Sequence, residues 1–129
     1  MPDLDPEDAK ILTLARVAMQ RAYAPHAGPG EGAAVRDTDG RTYAAATVEN
    51  SDERLTTSAV RGAVAAAASS GARSFEAVAL VTSRGSACAD DLAVVAEFGP
   101  GTHVIVAGVD GEVRSRFTVG EALGGRGPA

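Results

Sequence analysis

The chain of 129 residues has one cysteine, no tryptophan, two tyrosines and three phenylalanines. A lone Cys88 rules out an intramolecular disulfide and fits a reducing compartment, so a cytoplasmic location is expected. With so few aromatics, the core must be built from Ala, Val and Leu, which favours close backbone approach between layers. Cationic charge is also scarce. Lys10 is the only lysine, the net charge is −5, and no Lys/Arg cluster interleaves with aromatics. Nucleic-acid binding depends on cationic side chains that displace counterions, so no nucleic-acid partner is expected. No apolar run approaches the roughly 20 residues needed to span a bilayer, and the opening "MPDLDPED" is acidic rather than signal-like. No membrane association is expected.

What is present suits one globular domain over residues 1–129. Asp5, Pro6, Glu7 and Asp8 mark a helix start, and Ile11, Leu12, Ala15 and Met19 recur at helical spacing. "YAPHAGPGEG" is a loop by composition. "GAAVRDTDGRTYAAATV" reads as a hairpin around Asp39-Gly40. A polar connection, "ENSDERLTT", leads to a helix from about Ser58 to Ser70, with Thr56 or Thr57 as its cap. "FEAVALVTS" and "HVIVAGV" are continuous apolar runs, as in strands covered on both faces. Between them "RGSACADD" opens a helix from about Asp90 to Phe98. "EVRSRF" alternates, "TVGEAL" forms a last short helix, and residues 124–129 form a frayed tail. The order α-β-β-α-β-α-β-β-α predicts an α/β fold, a mixed sheet with helices on both faces.

Several of these strings, in this order and spacing, resemble the small cytidine deaminase family over nearly the whole chain. They are "AYAP" at 22–25, "GAAV…DGRTY", "TVEN" at 47–50 and "VIVAGVDGEV…TVGEAL". The resemblance implies a three-layer α/β/α sandwich on a mixed five-stranded sheet. It also implies a homo-oligomer, dimer or tetramer, whose neighbouring chains close each site. Deaminases of this kind place H/C-A-E on one helix and P-C-x-x-C at the start of the next. Zinc takes three thiolate or imidazole ligands and leaves a fourth position for water. It lowers the pKa of that water from about 15.7 to about 7. The Glu then carries protons, which is typically worth about 10²–10⁴ in rate.

On that pattern C-A-E becomes Ser58-Ala59-Val60, in gapless register with "TVEN". P-C-x-x-C becomes Ala87-Cys88-Ala89-Asp90-Asp91, and the match resumes at "VVAEF". A serine hydroxyl stays protonated near neutral pH, and a valine carries no proton. Ser58, Val60, Cys88 and Asp91 therefore read as vestigial positions in a metal-free pocket lined by Val60, Cys88 and Ser58. The family's terminal aromatic falls at Gly127. Glu49 and Thr47 match its ribose-binding segment and are the ligand-binding candidates. Arg61 needs a partner, with Asp91 or Asp90 available.

Simpler roles stand beside these. Cys88 is expected to be a small buried residue, the other reading being a reactive thiol. Asp90 and Asp91 serve equally as a helix-start pair, and Glu49 as a loop residue. Val60 with Val64 makes a core face. His26 and His103 are a loop and a strand residue. The expected function is a catalytically inactive, cytidine deaminase-like module that binds a nucleoside-like small molecule or another protein, with no metal or cofactor. The alternative is a zinc-dependent hydrolase acting on cytidine or a related aminopyrimidine. It would hold zinc through Cys88, Asp91 and a third group, with Glu53, Asp52 or Asp90 as base.

Overall fold

The computed structural model describes residues 4–124. The first helix, α1 (Pro6–Met19), starts where the sequence places it. Asp5 caps it by accepting the Asp8 N–H at 2.9 Å, and Pro6 takes the first turn. The hairpin follows as β1 (Gly32–Asp37) and β2 (Thr42–Ala46), turning at Gly40, whose φ is +85°. Asp37 closes this turn by accepting the Asp39 and Arg41 N–H groups, both at 2.9 Å. Next come a 3-10 turn at Glu53–Leu55 and the helix α2 (Ala59–Ser69). Ser58, rather than Thr56 or Thr57, is the α2 cap. Thr57 is instead bridged to Val48 in an extended segment.

The remainder is β3 (Phe75–Val81), α3 (Ala89–Ala96), β4 (His103–Ala107), β5 (Val113–Thr118) and α4 (Val119–Ala122). Thr118 and Glu121 form a reciprocal capping box on α4. One sheet runs β2-β1-β3-β4-β5. Only β3 and β4 pair in parallel, which is why α3 is needed as the crossover between them. All other neighbours pair antiparallel.

The two faces of the sheet bury separate clusters. Ile11, Leu12 and Ala15 of α1 meet Ala34, Ala79, Val81 and Ile105 on one face. On the other, α2, α3 and α4 cover Ala33, Val35, Val78, Leu80, Val104 and Val106. Alternate residues of β1, and of β3 from Ala77 onward, serve opposite faces, as strand geometry requires. The result is a three-layer α/β/α sandwich on a mixed five-stranded sheet. Gly32 sits so close to α1 that a Cβ there would overlap the Ala15 carbonyl and the Met19 backbone.

Among the described residues, no helix is long and apolar enough to cross a membrane. Apart from Gly124, the expected frayed tail, with Gly127 in it, lies outside the described residues.

Candidate functional site

The register Gly32↔Val81 puts the start of β1 beside the end of β3. Around that edge lies a cleft of about 490 Å³. This is where an α/β sheet usually receives a ligand, outside the carboxyl ends of parallel strands. Its volume is within the range of small-molecule sites. Four segments line it: the 26–31 loop, the 47–61 segment, the turn after β3, and the first turn of α3. A smaller groove of about 290 Å³ lies between α1 and Val109, with Arg16 as its one charged residue.

The floor of the cleft joins two helix starts. Ser58 caps α2, its Oγ accepting the Arg61 N–H at 3.1 Å. The same hydroxyl donates to Asp91 Oδ1 at 2.7 Å. Asp91 is buried, lies in the first turn of α3 and also lines the cleft. The positive end of the α3 dipole favours its charge. Asp91 is therefore more than a helix-start residue: it ties the start of α3 to the start of α2.

Three expectations about this floor need correction. Cys88 is exposed rather than buried, and it caps α3 without a side-chain hydrogen bond. It can stay in solvent because neighbouring Leu92, Val95 and Ala96 supply the apolar face of α3. Val60 does not line the cleft. It is 3% exposed and belongs to the core of α2 with Val64, as its helical spacing with that residue predicts. Arg61 lines the cleft, but its guanidinium makes no ion pair with Asp90 or Asp91; Asp91 instead accepts the Ser58 hydroxyl.

The opposite wall carries Thr47 and Glu49, both on the cleft and both bonded to the loop. Glu49 Oε1 accepts the His26 N–H at 2.7 Å and the Ala27 N–H at 3.1 Å. Its Oε2 accepts the Ala27 N–H at 3.2 Å. These backbone donors, His26 first, hold the Glu49 carboxyl below the usual glutamate range. Thr47 Oγ1 accepts the Glu31 N–H at 2.9 Å. Glu49 thus acts as a loop clamp, and its second oxygen keeps acceptor capacity toward the cleft. Among the base candidates, Glu53 and Asp90 line the cleft, whereas Asp52 pairs with Arg54 at 2.7 Å. His26 is on the loop wall and His103 is in β4.

Sequence reading missed Glu31 and Arg84. Glu31 bonds the Thr82 hydroxyl, and Arg84 approaches it at 3.7 Å on the cleft wall. No motif marks them. They meet only because β1 and β3 are neighbours.

A family model described as cytidine deaminase-like matches residues 4–111. The chain belongs to the cytidine deaminase-like family. A cytidine deaminase from Sporosarcina psychrophila is 33% identical over 120 residues, covering 90% of this chain and 88% of that protein. The solved cytidine deaminase from Burkholderia pseudomallei superposes with a TM-score of 0.81 at 30% identity, covering 87% of this chain and 92% of that one. The one from Mycobacterium tuberculosis gives 0.74 at 28%, covering 94% and 95%. This cytidine deaminase-like chain therefore shares with these relatives the fold that frames the cleft.

Proposed function

We propose that the cleft binds a nucleoside-like small molecule, with Glu49 and Thr47 holding hydroxyl groups and Ser58 and Asp91 facing the base. The observation that carries this reading is a cleft of about 490 Å³ whose polar groups converge from four segments. Most important is a charged Glu49 already fixed by the loop it clamps. Calorimetry with a panel of ribonucleosides tests it. Heat of binding that Glu49→Ala abolishes supports the reading, and silence across the panel sinks it.

A second reading is hydrolytic deamination of cytidine or a related aminopyrimidine. The relatives named cytidine deaminase favour this alternative over an inactive member. The donor set argues the other way. Zinc is held by thiolate, imidazole or carboxylate. The Ser58 oxygen is engaged twice, once by the Arg61 N–H and once through its own proton on Asp91. Among the described residues, no three His, Cys, Asp or Glu side chains form a group that could hold a metal ion. Cys88 and Asp91 with a serine do not fit a tetrahedral zinc site. These side chains suit ligand binding, whereas the relatives favour turnover. Metal analysis together with an ammonia-release assay decides: stoichiometric zinc with turnover establishes the hydrolase.

Assembly into a homo-oligomer is part of the proposal. Tyr23, Val48 and Leu55 are all more than half exposed, and Tyr23 and Val48 are bridged neighbours beside the cleft segment. Such an apolar group suits a second copy. Light scattering that reports a monomer would remove this part.

A further inference from the structure

We propose that Glu31 is a specificity-determining residue of the cleft: its Oε1 accepts the 2′-hydroxyl of a bound riboside and so selects ribose over 2′-deoxyribose. The inference rests on the ligand-binding reading and adds a sugar contact to it.

Glu31 precedes β1 and is fixed at both ends. Its N–H donates to Thr47 Oγ1 at 2.9 Å, and its carbonyl accepts the Thr47 N–H at 3.0 Å. Its carboxylate is tied to the end of β3 through the buried Thr82. Thr82 Oγ1 accepts the Arg84 N–H at 3.0 Å, and its single hydroxyl proton goes to Glu31 Oε2. Glu31 Oε1 accepts no hydrogen bond from the described residues. It is nevertheless not among the enclosed side-chain atoms that lack a partner, which are Arg36 Nη1 and Asp37 Oδ2 among the described residues. The Glu31 side chain is only 12% exposed and lines the cleft. An unpaired oxygen on it that is not enclosed therefore opens onto the cleft. Arg84 does not neutralise this charge. Its Nε lies 3.7 Å from Oε2, beyond hydrogen-bond length, and its side chain is 69% exposed, so solvent screens the pair. The result is a charged acceptor already held in place, which costs little ordering when a ligand arrives.

The bond to Thr47 decides which ligand group meets Oε1. Glu49 and Thr47 hold sugar hydroxyls in the ligand-binding reading, and Glu31 extends the same wall. Ribose presents two adjacent hydroxyl protons to such a wall, and 2′-deoxyribose only one. With the riboside, Oε1 exchanges water for a hydroxyl. With the deoxyriboside it loses water and gains nothing. Hydrogen bonds to charged groups separate two such ligands by roughly 10- to 100-fold in affinity, and a site built to bond a hydroxyl rejects the analogue that lacks it. Glu53 and Asp90 also line the cleft, but both are exposed and no described residue donates a hydrogen bond to either carboxylate.

Isothermal titration of the full chain with cytidine, 2′-deoxycytidine and 3′-deoxycytidine tests this. Cytidine is expected to bind roughly 10- to 100-fold tighter than 2′-deoxycytidine. Glu31→Gln keeps an acceptor for Thr82 and removes the charge. It brings cytidine and 2′-deoxycytidine within a few-fold and leaves the cost of the 3′-deoxy change as it was. The ligand series on the natural chain needs no substitution, so it decides even if that variant does not fold. Cytidine binding no tighter than 2′-deoxycytidine overturns the role of Glu31 and leaves nucleoside binding standing. A preference for cytidine that Glu31→Gln preserves in full does the same. No binding of any of the three overturns both.

Discussion

Two buried carboxylates, Asp8 and Asp91, sit in opposite layers of the sandwich and are treated in opposite ways. Asp8 of α1 meets Arg36 of β1 at 3.0 Å, and Arg36 also meets Glu76 at 2.6 Å. Burial alone would lower the Arg36 pKa, but its hydrogen bonds to Glu76 and Asp8 and their charges raise it. Arg36 Nη1 and the neighbouring Asp37 Oδ2 are left without partners. Asp91 has no cation, only the Ser58 hydroxyl, and it borders a cleft. A charge neutralised by arginine has little left to offer a ligand. One held by a hydroxyl alone remains available.

The comparison breaks most readily at Arg36. Arg36→Met keeps much of the volume and strands Asp8 among apolar residues. Removing one partner of a buried pair is strongly destabilising, so a loss of about 3 kcal/mol is expected in urea unfolding. Ser58→Ala removes both a helix cap and a hydrogen bond to a carboxylate. It should cost about 1–2 kcal/mol by the same measurement. Asp91→Asn keeps an acceptor for Ser58 and strands no cation, so it should shift stability by less than about 1 kcal/mol. If Asp91→Asn proved as damaging as Arg36→Met, Asp91 would be a structural charge and the contrast would fail.

Much of the fold could be read from local chemistry. Asp5 and Pro6 announce α1, Asp39-Gly40 announces the hairpin, and the apolar runs at Phe75 and His103 announce the two parallel strands. Val60 was legible as core through its spacing with Val64. The cleft was legible only in part. Ser58 and Asp91 are 33 positions apart and meet because a strand and a crossover bring two helix starts together. No local pattern encodes that contact; only the family resemblance set Asp91 with Ser58 at one site, while its residue type alone read as a helix start. Cys88 was misplaced for a related reason. Cysteine is usually buried, but its exposure here depends on where the α3 apolar face points. Thr56 and Thr57 lost the cap to Ser58 because an extended bridge to Val48 had already claimed Thr57.

The opposite wall of the cleft offers the finest test, since Glu49 stands between the two cases: charged, without an arginine partner, and held by backbone N–H groups. Its folded-state pKa is lowered, so its contribution is fully present above the ordinary glutamate value. That contribution is lost as pH falls through the depressed folded value, when the carboxylate is protonated and the loop donors lose a charged acceptor. Glu49→Gln keeps one acceptor oxygen but cannot carry charge. The thermal midpoint of the natural chain should therefore exceed that of Glu49→Gln at neutral pH, with the gap closing on acidification. Because Glu49 borders solvent, the gap should be the smallest of these effects. A gap that stayed constant into the acid range would mean that shape rather than charge holds the loop, and the case for Glu49 as a charged ligand clamp would go with it.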